Sequence, residues 1–307
     1  MRNKSRKKIY NKKGDKYRVK QNRTHKVFKK LNCSPENKDK EYTCYSDGDV
    51  RQLKDMWNAR HPDQPIITNN SKQIWTHLKE YYATICNKES CWVRQMTKNT
   101  KMEKELLDSF APESPKEWKK NPNEWLSSID ILKVMNQYEK KYKCFDFLGP
   151  SPIDYDTHKL YGECVWEELC HFNLEHKIKK GYTKFGVIFN LDPHYKGGSH
   201  WVSLFINVKN KTIFYFDSTG ENIPSQIKKF VDDVIKQGNA LKIPIKFDQN
   251  HPVEHQYGNT ECGIYSIFFI VHMLQDKITG HYLKTRILKD NYIQKFRNIF
   301  YNDDGDV

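Results

Sequence analysis

Apolar side chains recur every three or four residues between Asp49 and Leu107, with Leu53, Met56 and Trp57 in one set and Ile74, Trp75, Leu78, Tyr81 and Tyr82 in a second. A helix turns once in ~3.6 residues, so each set lies along one face of an α-helix. Between them, Asn58 to Pro65 holds two prolines and predicts the turn that separates the helices. Residues 1 to 40 are polar and basic without any apolar period, which predicts an arm with little structure. Phe110 to Pro122, with Pro112, Pro115 and Pro122, predicts a linker.

From Asn123 the pattern changes. Trp125, Leu126, Ile129, Ile131, Leu132, Val134 and Met135 predict a helix that Asn123 can cap. Three runs rich in β-branched and aromatic residues then predict strands at Lys184 to Asn190, His200 to Val208 and Thr212 to Asp217, the last two joined in a hairpin by Lys209, Asn210 and Lys211. Ser225 to Gln237 reads as an amphipathic helix, Leu241 to Asp248 as a strand, Cys262 to Gln275 as a long apolar helix and Ile287 to Tyr301 as a terminal helix. This order predicts an α+β fold rather than a doubly wound sheet. No internal repeat is visible. The chain therefore divides into a basic flexible leader over residues 1–40, a helical arm domain over 41–120 and a larger α+β domain over 121–307.

Composition narrows the class. The longest apolar run, Ile264 to Leu274, spans 11 residues and is interrupted by His272, whereas a membrane-spanning helix needs ~20. Mean hydropathy is −0.87, so a buried helix is the expectation and no transmembrane segment is predicted. The formal charge of +14 is concentrated at one end: residues 1–30 hold 14 Lys and Arg against the single acid Asp15. The remaining 38 basic and 37 acidic residues nearly cancel. Such a leader suits nonspecific contact with nucleic acid or an anionic surface. It lacks the apolar stretch of a secretory signal and the amphipathic face of a mitochondrial presequence.

Eight cysteines, at positions 33, 44, 86, 91, 144, 164, 170 and 262, in a long chain without a secretory signal suggest reduced thiols in a cytosolic or nuclear setting. Cys86 with Cys91, and Cys164 with Cys170 ahead of His171 and His176, invite comparison with metal sites. Their spacings are not those of a zinc knuckle or ribbon, so buried free thiols are expected and no metal or cofactor is assigned.

One cysteine is placed for chemistry. Cys262 stands at the predicted first turn of the apolar helix, where unpaired amides and the helix dipole favour the thiolate. Gly263 after it would let a substrate approach the backbone. His200 opens a strand behind the Gly197-Gly198-Ser199 turn, and Asp217 ends the neighbouring strand. Antiparallel pairing brings these two to the same end of the sheet, where a carboxylate could orient an imidazole. Gln256, on the loop before Cys262, could donate to a developing oxyanion together with the Cys262 amide. His251 and His255 have the four-residue spacing of a helical metal pair, but Pro252 between them argues against such a helix.

The order His200-Trp201, Asp217 within Phe216-Asp217-Ser218, Gln256 and Cys262-Gly263 resembles that of ubiquitin-like-protein proteases and the adenovirus maturation protease, papain-like cysteine proteases. Trp125-Leu126 with Ile129, Asp130 and Ile131 resembles the helix that opens their catalytic domain, and the likeness spans roughly residues 120 to 300. Three segments, Met56 to Pro62, Phe147 to Asp154 and Gly197 to Val202, are similar to the polyprotein-processing branch found in large cytoplasmic DNA viruses such as African swine fever virus. That branch also has a helical N-terminal arm, but the swine fever enzyme carries Asn where this chain carries Asp217.

The resemblance implies a papain-like core, a mixed sheet flanked by helices, and a thiol protease with His200, Asp217, Cys262 and Gln256 as its catalytic residues. Cleavage would follow small, Gly-containing sequences in a viral structural polyprotein or a ubiquitin-like protein. Trp201 would roof a narrow passage for glycine, with Trp166 and the loop Asp192 to Ser199 lining the cleft. A viral enzyme of this type would work in the virion core and the host cytoplasm; a cellular one would work in the nucleus or cytoplasm. Alternatives are a modifier-deconjugating protease, a same-fold acyltransferase, or a nucleic-acid-binding scaffold without activity.

Overall fold

The computed structural model describes residues 26–38, 40–97, 100–159 and 161–303. The expected contact with nucleic acid or an anionic surface through residues 1–30 falls mostly outside the described residues.

Four helices build the arm: α1 Asp47–Arg60, α2 Ser71–Tyr82, α3 Glu89–Met96 and α4 Lys101–Leu107. α1 starts two residues before the expected Asp49, because Ser46 and Asp49 form a reciprocal capping box. Trp57, Ile74, Leu78, Tyr82 and Trp92 pack together as the arm's own core. The motif around Trp57 is structural: its indole donates to Gln64 O at 2.9 Å, and the Asn58 side chain binds both backbone groups of Ile66. Residues 26–38, expected as part of the leader, are packed. Phe28 packs against Trp75 and Trp92 with ring centroids 5.9 and 6.0 Å apart, Leu31 is buried, and Cys33 bridges to Phe110. These apolar contacts, together with a Cys33–Cys44 disulfide and the hydrogen bonds between Asn32 and Asn302, dock residues 26–38 on the folded units.

The larger unit begins with α5 Ser128–Lys141, capped by Ser127 and Asp130 rather than by Asn123. Asn123 instead accepts a hydrogen bond from Gln294. Then come β1 Phe145–Phe147, β2 Ser151–Pro152, α6 Glu167–Cys170, α7 Leu174–Lys179, β3 Lys184–Asn190, β4 Trp201–Asn207, β5 Thr212–Phe216, α8 Ser225–Ala240, β6 Lys246–Gln249, α9 Cys262–Leu274, α10 Gly280–Thr285, α11 Asp290–Ile293 and α12 Arg297–Phe300. The strands form one mixed sheet in the order β1-β3-β4-β5-β6, with β2 also paired to β3. β4 is antiparallel to both of its neighbours, β3 and β5, while β1 and β2 join β3, and β6 joins β5, in parallel.

β4 is buried along its whole length, and its side chains alternate between two cores. Val202, Leu204 and Ile206 meet Ile227, Phe230, Val231 and Val234 of α8 on one face. Trp201 and Phe205 meet α5 and α9 on the other. α9 is apolar nearly all round because it lies between the sheet, α5 and the C-terminal helices. Among the described residues no helix is long and apolar enough to cross a membrane.

Two expected elements differ. β6 begins at Lys246 because Leu241 and Ile243 spend their N–H groups on the last turn of α8. The terminal helix starts at Asp290 rather than Ile287 because Leu288 gives its N–H to His255 and its carbonyl to the Tyr265 hydroxyl, and a 3-10 turn at Gln294–Phe296 interrupts it. The Phe110 to Pro122 segment is packed rather than loose, with Trp118 under the Arg297 guanidinium at 4.5 Å and edge-on to Tyr301. The free-thiol expectation is also corrected: Cys33–Cys44, Cys86–Cys91 and Cys164–Cys170 are disulfides, their Cα atoms 5.0, 5.6 and 6.3 Å apart. Cys144 and Cys262 are free.

Asn302 ties the two units together. Its side chain bonds both backbone groups of Asn32 and the carbonyl of Ala111, and its backbone pairs with Pro112 and Ser114.

Candidate active site

β3 ends in Asn190, whose Oδ1 accepts hydrogen bonds from the N–H groups of Asp192 and Ser199 and folds the intervening loop back. Gly198 sits in that loop at φ +93°, where a Cβ would come within 2.7 Å of the Asn190 amide, so glycine meets both the backbone and the packing requirement. The turn delivers His200 to the start of β4. Ser203 pairs with Phe216, so the same register carries His200 and Asp217 to one end of the sheet, just past the paired stretch.

There His200 Nε2 lies 2.7 Å from Asp217 Oδ1. Asp217 is 1% exposed, and its Oδ1 also accepts from the Thr219 N–H and hydroxyl at 2.9 and 2.8 Å. Fully buried Asn250 holds the Asp217 backbone from both sides, accepting from its N–H at 2.9 Å and donating to its carbonyl at 2.7 Å. Neither Thr219 nor Asn250 stands out in the sequence; a buried carboxylate needing several donors was the signal for them.

With Nε2 engaged by Asp217, Nδ1 is the nitrogen left for Cys262. Burial favours the neutral imidazole, but hydrogen bonds to Asp217 and Cys262 and the charges of both outweigh it, so the His200 pKa is pushed up to about 10. Cys262 is the first residue of α9 and only 3% exposed. The first amides of a helix have no partner within it and can stabilise a negative charge on a side chain at that end. The arrangement can hold a thiolate beside an imidazolium, a nucleophile next to its own proton donor.

The Gln256 amide is fixed at both ends, Oε1 accepting from the Ser218 hydroxyl at 2.7 Å and Nε2 donating to Gly258 O at 2.8 Å. One Nε2 hydrogen remains. It can serve an oxyanion, and Ser218, which the sequence reading did not single out, sets its direction. His251 and His255 form no metal pair: one ring binds Gly220 O and the other accepts from Leu288 N.

Gly263 has a different part from the expected one. A Cβ there would meet Leu126 at 3.1 Å, so the missing side chain makes room for Leu126 rather than for a substrate. Trp201 supports the same contact, its indole donating to Leu126 O at 3.0 Å. Trp201 and Trp166 both line a cleft of about 600 Å³, with Leu126, Pro150, Gly197 and Gly198 among the other walls. Trp166 is anchored by a 2.9 Å bond to Leu148 O. Asp154, in the segment after Phe147, fixes the opposite rim by binding the His194 backbone and ring at 2.9 and 2.7 Å.

Residues 186–306, which contain His200, Asp217, Gln256 and Cys262, match the Ulp1 protease family, C-terminal catalytic domain. The chain is a cysteine protease with a Ulp1-family catalytic domain. It is 27% identical to a thiol protease of Acanthamoeba polyphaga mimivirus over 88% of this chain and 93% of that protein. A cysteine protease of African swine fever virus is 26% identical over 76% of this chain and 90% of its own length. The crystal structure of the African swine fever virus protease superposes with a TM-score of 0.65 at 22% identity, covering 89% of this chain and 96% of that one. The Ulp1-family match begins at Gly186 in β3, whereas these alignments cover more of the chain than the catalytic match alone.

Proposed function

We propose that this Ulp1-family protease cuts a viral structural polyprotein after small, Gly-containing sequences. Cys262 attacks the scissile carbonyl, and the Cys262 amide and Gln256 receive the oxyanion. Protonated His200, oriented by Asp217, gives its proton to the leaving amine. Neutral His200 then activates the water that hydrolyses the thioester. The observation that carries the proposal is the convergence of His200, Asp217 and Cys262 beside a cleft whose wall includes Trp201. Two buried contacts, the Trp201 indole on Leu126 and Leu126 against Gly263, tie that wall to the first turn of α9.

The test uses a peptide with a Gly-Gly cleavage site, an intact ubiquitin-like fusion and a glycine-directed vinyl sulfone, each with the parent chain and with Cys262→Ala. Peptide cleavage with labelling of Cys262 supports the proposal. Labelling elsewhere removes it. Exclusive cleavage of the fusion supports a second reading, removal of ubiquitin-like modifiers, which the name SUMO-1 cysteine protease given to African swine fever virus relatives favours. For a viral enzyme we infer a place in the virion core and host cytoplasm, with the basic leader as a tether to genome or anionic surface. Deleting residues 1–25 should then weaken DNA retention at low salt and leave peptide hydrolysis intact; unchanged retention would remove the tether.

A further inference from the structure

Outside the catalytic centre, one cluster gathers four side chains that are good ligands for a soft divalent metal. Two backbone bonds, Lys159 N to Glu163 O at 2.7 Å and Val165 N to Thr157 O at 2.9 Å, close a small hairpin that sets His158 opposite Cys164. α6 follows at once and supplies Cys170 in its last turn and His171 as its C-cap. The Cys164 sulfur lies 4.0 Å from His158 Nε2 and 3.9 Å from His171 Nε2. His158, Cys164 and Cys170 present three ligand atoms all within 4.8 Å of one another. His171 joins a second such set with Cys164 and Glu167, and opening the disulfide frees the sulfurs to move apart to the ~3.3 to 3.8 Å that separates neighbouring ligands of a tetrahedral zinc.

We propose that in the reduced chain His158, Cys164, Cys170 and His171 bind one zinc ion as a Cys₂His₂ site. Two imidazoles converge on one sulfur although both histidines lie at the surface, an arrangement that a disulfide alone does not require. The Cys164–Cys170 disulfide and the metal are alternative states of the same two sulfurs. Two molecules of a small thiol such as glutathione supply the two electrons, leaving as their own disulfide while Cys164 and Cys170 become thiols. Zinc then displaces both thiol protons and takes the two thiolates and two neutral imidazoles as ligands. Glu167 Oε1 accepts from Cys164 N at 2.8 Å and so holds the Cys164 backbone, while its Oε2, 3.1 Å from His171 Nε2, gives up that nitrogen when the metal takes it. Val165 and Trp166, which line the cleft, lie between the ligands in sequence, so metal or disulfide fastens that wall.

The full chain carrying Cys262→Ser, which removes the one reactive thiol of the catalytic site, is reduced with a phosphine, loaded with zinc, gel-filtered and assayed for metal, and cobalt is titrated in parallel. One zinc per chain is expected, together with tetrahedral cobalt bands and thiolate-to-cobalt charge transfer that saturate at one equivalent. Cys144→Ser should change neither. His158→Gln, at an exposed position and with circular dichroism as the folding control, should weaken zinc binding more than about 100-fold, and Cys170→Ser should abolish the charge-transfer band. Reduced protein that elutes without zinc, cobalt spectra lacking charge transfer, or full binding in the His158→Gln, Cys170→Ser double variant would each overturn the site.

Discussion

Arg297 and Glu261 form an ion pair buried to 4% exposure on each side, with Arg297 Nε 2.9 Å from Glu261 Oε2. The same guanidinium donates to the carbonyls of Glu124 and Thr260 at 2.8 and 3.0 Å. One side chain from α12 thus fixes the residue before Cys262 and the strap that leads to Leu126.

Arg297→Ala should therefore cost far more than a surface charge. Removing one partner of a buried pair leaves an unpaired charge and typically costs ~3 to 5 kcal/mol. Urea unfolding should show that loss, whereas Arg297→Met with Glu261→Gln should recover part of it.

Gly263→Ala should impair catalysis by steric displacement, since the new methyl would press on Leu126 at 3.1 Å. A misplacement of about 1 Å at a reacting group can cost ~100-fold in rate. Leu126→Ala in the same chain makes room, so the double variant should be faster than Gly263→Ala alone. An additive loss in a double-mutant cycle would contradict the contact.

Gln256→Ala should lower kcat by about 100- to 1,000-fold with little change in KM, as expected for a donor that acts on the transition state. Ser218→Ala, which frees the amide without removing it, should have the same sign and a smaller size. Steady-state kinetics on a cleavable peptide measure both.

Asp217→Asn should shift the alkaline limb of the kcat/KM profile to lower pH. In the parent, Asp217 and Cys262 hold His200 at about 10 against the opposing effect of burial. The limb should therefore fall as pH rises through that value. Removing the carboxylate charge withdraws stabilisation from the imidazolium, so its proton leaves earlier. For stability the sign is the same: a raised histidine pKa contributes fully below about 6.5 and is lost on the way up to about 10. A limb that stays in place in Asp217→Asn would contradict the pairing.

The elements with strong periods were visible before folding. β3 was marked to the residue, and α9 to within one at its end, because a continuous apolar run next to a polar loop leaves few alternatives. β1 and β2 were not visible, since strands of three and two residues carry no period and depend on pairing with β3. The named triad lay in the chain's order of residues, and the structure brings His200, Asp217 and Cys262 together. Asn250, Ser218 and Thr219 escaped notice because each acts through a hydrogen bond to a residue known only once the chain is folded. At Gly263 the sequence suggests backbone approach by a substrate, whereas its neighbour Leu126, 137 positions away in the sequence, shows that size decides there. Nothing in the linear order of residues sets His158 opposite Cys164; the small hairpin between them does.

The Asn302 latch closes the polypeptide into a ring: the chain's last described turn grips its first described segment and the crossing between the units at one spot. A single backbone cut in residues 113–122 would accordingly yield two fragments that stay associated, and gel filtration without denaturant would report them as one particle. Arm and body are then held as a single frame by the fold itself, with the covalent crossing as only one of several ties.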